Sequence, residues 1–352
     1  MLTKLHIERY KSLYDVTIDL EPLTVLIGPN ASGKSNICEA VYFWSRLVQY
    51  LEDPFLDLGT SGISLQILSQ IVSESQLGES SIVQKFWRGK SDVFRFKMAF
   101  GETVRKNGAG ADSSYMELSI PTESVSLPLD PKLVSALGNV KIYDFNPHSV
   151  AKGADLSVPF SRSGEGVANA LTDILLNSRE RFSELESVLM ELIPTVGGIV
   201  LERKSETRFA LGLKDRFSKY VVPVADVSDG TLRILALLTA LYEVDTPDII
   251  CLEEPENGIH PWLLHKVVEL LNRLSLQGIG GHPVQFIVTT HSVSLLNYLR
   301  PEQIRAVELD DEGKTIVHNL PVDGQRFQKA LDVFDGELGE LWFTDMSGGN
   351  PR

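Results

Sequence analysis

Gly28, Gly33, Lys34 and Ser35 stand in the spacing G-x-x-x-x-G-K-[ST], spelled GPNASGKS from residue 28, between the apolar run LTVLI and a stretch of helical periodicity. A strand before this motif and a helix after it are what the chemistry needs. The glycines let backbone amides turn inward around phosphate oxygens, and the helix start adds the positive end of its dipole. The segment Gly28, Pro29, Asn30, Ala31, Ser32, Gly33, Lys34, Ser35 and Asn36 is therefore a candidate phosphate cradle. Lys34 would set its charge against the β- and γ-phosphates, and the Ser35 hydroxyl would take one position on magnesium. The plain alternative, a chance glycine-rich turn, fits poorly with the correct flanks on both sides.

Three later segments carry matching chemistry. DIICLEEPE is an apolar run closed by carboxylates, so a buried strand would deliver Glu253 and Glu254 to its carboxyl end, where ligands of open α/β sheets sit. Neighbouring strand residues point to opposite faces, so the two acids would divide the work, one holding magnesium and the other polarising the attacking water as general base. FIVTTHS ends in the same way, with His291 at its tip. A lone histidine is more often structural, but beside a phosphate loop and a carboxylate pair it is placed to donate to a γ-phosphate. VSDGTLRILAL sets Ser228, Asp229 and Gly230 at the start of a strongly apolar helix, whose free amides form another anion site. An ordinary capped helix would read alike. Because the Gly28 loop already covers the near side of a bound nucleotide, a second phosphate-seeking helix end makes most sense in trans, on a nucleotide held by another copy.

The elements that must position these residues are readable in part. LTKLHI, VTIDL and LTVLI predict three strands before the loop, and residues 34 to 51 a helix with Ile37, Val41, Trp44, Val48 and Leu51 on one side, ended by Asp53-Pro54. Residues 55 to 160 mix Ser- and Gly-rich turns with alternating runs such as VFRFKMAF and YMELSI, which predict an antiparallel elaboration. A helical zone follows, marked by Val167, Ala170, Leu171, Ile174 and Leu175 and then by Phe182, Leu185, Leu189 and Leu192. Strands are expected at RFALGLK and KYVVPV, then a helix after Ser228, a strand DIICLEE, a helix from Pro261, a strand VQFIVTTH, a helix near SLLNYL and a final pair IRAVEL and KTIVHNL. The tail MSGGNPR is expected to be mobile.

The 352 residues, 43% apolar and 23% charged, describe an ordinary globular chain, and a net charge of -14 excludes a globally electrostatic nucleic-acid binder. A local patch remains open: QKFWRGKSDVFRFK offers Lys85, Arg88, Lys90 and Arg95 for phosphates and Phe86 or Trp87 for stacking, although an amphipathic strand with solvated charges explains it more simply. The two cysteines, Cys38 and Cys251, cannot build a disulfide framework or a zinc cluster on their own. With no apolar leader-like run and no stretch of about 18 apolar residues, a soluble cytoplasmic protein is expected, with no membrane partner.

GPNASGKS, SDGTLRILAL, ICLEEPENGIHP and VTTHS, in that order, resemble the Walker A, signature, Walker B with D-loop, and switch histidine of an ABC-type ATPase head. The wording is most similar to the RecF, SMC and OLD branch, the AAA_21-like AAA family ATPases, and the similarity covers about residues 1 to 50 and 221 to 320. The resemblance implies a P-loop α/β fold with a mostly parallel core sheet flanked by helices, an antiparallel β subdomain and a helical lobe. It divides the chain into core segments at 1–54 and 221–345, a β-rich insertion at 55–160, a helical lobe with connecting strands at 161–220 and a tail at 346–352. ATP and Mg2+ are the implied cofactors. Gly28, Asn30, Gly33, Lys34 and Ser35 would hold phosphates and metal, with Lys11 and Ser12 beside the base or ribose. Glu253 would support magnesium, Glu254 would be the catalytic carboxylate and His291 would meet the γ-phosphate. Ser228 and Gly230 would close over ATP in the other subunit of a homodimer.

Departures narrow the expectation. Glu253 stands where transporters carry aspartate. No Q-loop glutamine is evident, and Asn146 in IYDFNP is the stand-in. The helical zone is too short for an SMC-like tether, and nothing after about residue 320 reads as a TOPRIM nuclease. The expected function is therefore an ATPase whose head dimerisation controls a separate effector protein, in anti-phage defence. The alternatives are RecF-like DNA repair, a transporter subunit, and a nucleotide-dependent binding module with negligible turnover.

Overall fold

A computed structural model describes residues 1–52, 93–100, 114–121, 139–152, 158–205, 209–322, 324–334 and 336–343. Along the chain, β1 (Leu2–Tyr10), β2 (Leu13–Asp19) and β3 (Leu23–Ile27) precede α1 (Lys34–Glu52), β4 (Val93–Phe100) and β5 (Ser114–Pro121). β6 (Val140–Tyr143), α2 (Pro147–Ala151), α3 (Val167–Asn177), α4 (Arg179–Leu192), β7 (Val196–Arg203), β8 (Phe209–Asp215), β9 (Val221–Pro223) and α5 (Asp229–Leu241) follow. The remainder is β10 (Ile249–Glu253), α6 (Pro261–Gln277), β11 (Gln285–Thr290), α7 (Val293–Leu296), β12 (Ile304–Leu309), β13 (Thr315–Asn319), α8 (Gln325–Val333) and α9 (Leu338–Phe343). The chain forms two compact units. One holds 1–140, 248–251 and 285–352, the other 141–247 and 252–284, and the division runs through β10 between Cys251 and Leu252.

The first unit is organised around β3. Its five residues, LTVLI, are all buried, as a continuous apolar run covered on both faces should be. Strand order there runs β13-β12-β3-β11-β10. β3 is parallel to β11, with Ile27 opposite Thr290, and parallel to β12, with Ile27 opposite Ala306, while β13 returns antiparallel to β12. The register brings Gly28, His291 and Val307 level at one edge of the sheet. α1 buries Ile37, Val41 and Trp44 as expected. The side chains of Val48 and Leu51, the Asp53-Pro54 stop and the tail MSGGNPR lie outside the described residues.

β1 and β2 do not join that sheet. They form an antiparallel sheet in the order β2-β1-β4-β5, with Ile7 facing Val16 on one side and Phe96 on the other. VFRFKMAF and YMELSI are the expected strands, but they extend the N-terminal hairpin: β1 has two edges, and β4 satisfies the backbone groups that β2 leaves open. The residues Lys85, Phe86, Trp87, Arg88 and Lys90 lie outside the described residues, as does the side chain of Arg95.

In the second unit the helical zone is two helices broken at Ser178, the C-cap of α3 and the N-cap of α4. Val167, Leu171, Ile174, Phe182, Leu185, Leu189 and Leu192 are buried, whereas Ala170 and Leu175 are partly exposed and Ala168 and Thr172 take their places inside. β7, β8 and β9 form an antiparallel sheet. β7 escapes the sequence pattern because Gly197-Gly198 interrupts its alternation, and the register shifts there. α5 is buried at Leu232 and at every position from Ile234 to Leu241, while its first turn stays near the surface.

Candidate phosphate-binding and catalytic site

The loop from Gly28 to Lys34 is held in shape from behind. A Cβ on Gly28 would lie 1.9 Å from the Val307 carbonyl oxygen, and one on Gly33, at φ +104, would lie 2.1 Å from Thr315 Oγ1. Both positions exclude side chains, and Gly33 also needs a backbone that only glycine adopts without strain. Ala31 accepts a positive φ of 62 at the loop's crest. Lys34 is buried and its Nζ donates to Gly28 O at 2.9 Å and Pro29 O at 2.8 Å, so the cation is centred on the loop's own carbonyls. Ser32 Oγ is buried and has no hydrogen-bond partner among the described residues. An unpaired buried hydroxyl costs stability unless something else satisfies it. A phosphate group fits this loop: it would meet the Ser32 hydroxyl and the Lys34 ammonium in a cradle that two glycines keep open. Asn30, Ala31 and Ser35 are exposed on the loop's open side.

Lys11 and Ser12 join this loop from the β1–β2 turn. Lys11, at φ 52, pairs with Glu39 on α1. Ser12 Oγ accepts from Asn36 Nδ2 at 2.8 Å and lies 2.7 Å from Thr315 Oγ1, which itself donates to Ser32 O at 2.8 Å. Thr315 was not legible as a site residue: it lies 282 positions from Gly33, and no local pattern marks it. His291 is the first residue past β11, exposed and level with Gly28 through the Thr290–Ile27 pairing.

The carboxylates and the α5 start lie in the second unit. Glu253 ends β10, and its Oε1 takes a hydrogen bond from Arg162 Nη2 at 2.7 Å. Arg162, 91 residues away, is a second partner that sequence spacing does not reveal. Glu254 lies just past the end of β10 at φ 44, in a left-handed turn, so the strand alternation expected from the sequence does not set its direction. Its Oε2 accepts from Asn257 Nδ2 at 2.7 Å. Ser228 caps α5, accepting from Thr231 N at 3.4 Å and donating to Thr231 Oγ1 at 3.0 Å. Ser228 and Asp229 are exposed. Gly230 touches the turn that follows Glu254: a Cβ there would lie 2.4 Å from Gly258 O. Asn146 uses its carboxamide oxygen to cap α2, accepting from His148 N at 2.9 Å. Among the described residues no group of three or more His, Cys, Asp or Glu side chains is assembled to hold a metal, and no helix is long and apolar enough to cross a membrane.

Comparisons with known proteins bear on the fold and on the ATPase class. Residues 149–297 match the model described as "AAA domain, putative AbiEii toxin, Type IV TA system", and residues 1–84 match an AAA ATPase domain model. The Nod factor export ATP-binding protein I of Sinorhizobium fredii is 31% identical over 127 residues, 35% of this chain and 34% of that protein. A putative ABC transporter ATP-binding protein of Bacillus thuringiensis subsp. konkukian is 30% identical over 100 residues, 27% of this chain and 17% of that protein. The chain thus spans about a third or less of the curated relatives it matches. An SMC head bound to the C-winged helix domain of ScpA superposes with TM-score 0.60 at 14% identity, covering 92% of this chain and 98% of that one. An SMC head with an extended coiled coil bound to the C-terminal domain of ScpA, from Pyrococcus furiosus, gives 0.53 at 14% identity, with 95% and 99% covered. The fold is that of these heads.

Proposed function

We propose that this chain, an ATPase head of the ABC/SMC type, hydrolyses ATP between two copies of itself and uses the change to control a separate effector protein. The observation that carries the reading is the loop of Gly28 to Lys34, shaped from behind and holding a buried Ser32 hydroxyl and the Lys34 ammonium in position for phosphate. Ser35 and Glu253 would hold Mg2+, which when bound supplies charge neutralisation at the phosphates. Glu254 would accept the proton of the attacking water. His291 would donate to the γ-phosphate from the sheet edge it shares with Gly28. Ser228, Asp229 and Gly230, at an exposed helix start, would meet the phosphates of ATP held by the other copy. Asn146 would sense the γ-phosphate through the residues it caps, and Lys11 and Ser12 would border the nucleotide.

The setting we favour is cytoplasmic anti-phage defence with a partner effector, a reading supported by the family model whose description names a toxin–antitoxin system. The transporter relatives align over only 127 and 100 residues, and DNA repair of the RecF kind remains the second reading, with nucleic acid as the partner. Steady-state turnover tests the enzyme claim. Glu254→Gln should bind ATP as tightly as wild type while its kcat falls by about 100-fold, within the range for loss of a general base. Turnover at the wild-type rate in that variant would remove Glu254 from the chemistry.

A further inference from the structure

Behind the phosphate loop, four groups form one directed chain of hydrogen bonds. Thr315 has a single hydroxyl proton and gives it to Ser32 O, 2.8 Å away. Ser12 must then be the donor across its 2.7 Å contact with Thr315 Oγ1, and Asn36 Nδ2 donates into Ser12 Oγ at 2.8 Å. The Thr315 amide closes the ring on Ser12 O at 2.9 Å. Thr315 is buried and so is its bond to Ser32 O, made where losing a hydrogen bond costs most, while the Ser12 and Asn36 links are partly buried. The consequence falls on the next peptide. A trans peptide is planar, with its C=O and N–H on opposite sides. Fixing Ser32 O toward Thr315 therefore aims Gly33 N–H away from Thr315. That amide has no acceptor within the protein among the described residues.

We infer that Thr315 is a positioning residue of the phosphate loop: through Ser32 O it sets where Gly33 N–H points and thereby the affinity for a nucleoside triphosphate. The inference rests on the ATP-binding reading above and assigns the role to the hairpin of β12 and β13, which neither matched ATPase model includes. The carbonyl of Val307 on the same hairpin fills the space beside Gly28, so the hairpin braces both glycines. Titration calorimetry with MgATP, paired with KM and kcat, tests it on the full chain. Thr315→Val keeps the shape and removes the hydroxyl, and should raise Kd and KM by about tenfold with kcat within about twofold. Thr315→Ser restores the donor and should return both constants to within about twofold of wild type. Should Thr315→Val fail to fold, Ser12→Ala removes the donor upstream and should raise Kd several-fold. Unchanged Kd and KM in a folded Thr315→Val, or in Ser12→Ala, would overturn the assignment, as would a Thr315→Ser as impaired as Thr315→Val. Failure of the wild type to bind MgATP would instead count against the ATP-binding reading itself.

Discussion

Lys11, Ala31 and Glu254 are the non-glycine residues with positive φ among those described, and each borders the candidate chemistry. Such backbone costs roughly 1–3 kcal/mol per residue and persists where surrounding contacts impose it. Lys11 is paired with Glu39, and the Glu254 carboxylate accepts from Asn257. A different residue, Glu243, contributes a pH dependence to the second unit. Burial holds the Glu243 carboxyl above the usual carboxylate range, with Asp245 and Asp173 adding to the shift and Tyr143 and Lys141 opposing it. Folding therefore favours its protonated form. Stability from this group is fully present below the ordinary carboxylate value and is lost as pH rises through the higher folded value. Glu243→Gln keeps an acceptor for the Tyr143 hydroxyl, 2.7 Å from the carboxylate, and cannot ionise. Urea unfolding should show the variant gaining on wild type as pH rises above the ordinary carboxylate value. A difference that does not change with pH would exclude Glu243 as the titrating group.

At the scale of elements, the α5 start and the turn after Glu254 are one mechanical piece. Gly230 packs on Gly258 O, and Arg233 one helical turn on donates to Phe145 O at 2.5 Å. Gly230→Ala must push the turn that carries Glu254, and is expected to lower kcat by about tenfold with ATP affinity kept. A variant with normal kcat would show that the contact is slack. Strands such as LTVLI and the helix after Lys34 were legible because apolar runs and periodicity reflect local burial. The phosphate loop was legible for a related reason, since its glycines and lysine are consecutive in the chain. The supports were not: Thr315 and Arg162 act across 283 and 91 positions, and such pairings leave no periodic trace. α8 and α9 were missed because their short helices follow no strong cap or run, and β7 because its paired glycines mimic a turn. The two antiparallel β strands after α1 were recognised, but their partner, β1, was not.

At the scale of the whole molecule, the proposed ATPase site is one that a second copy completes. In the proposed reading the exposed α5 start meets a phosphate held by another copy, and a symmetric pair would give two such composite sites. Mixing Lys34→Ala with Ser228→Arg measures this directly. Each variant alone should be inactive. Combined in equal amounts, random assembly makes half the dimers mixed, each with one intact site, so roughly a quarter of wild-type ATP turnover should return. Inactivity at every mixing ratio, with both variants folded and Ser228→Arg still binding ATP, would contradict hydrolysis between two copies.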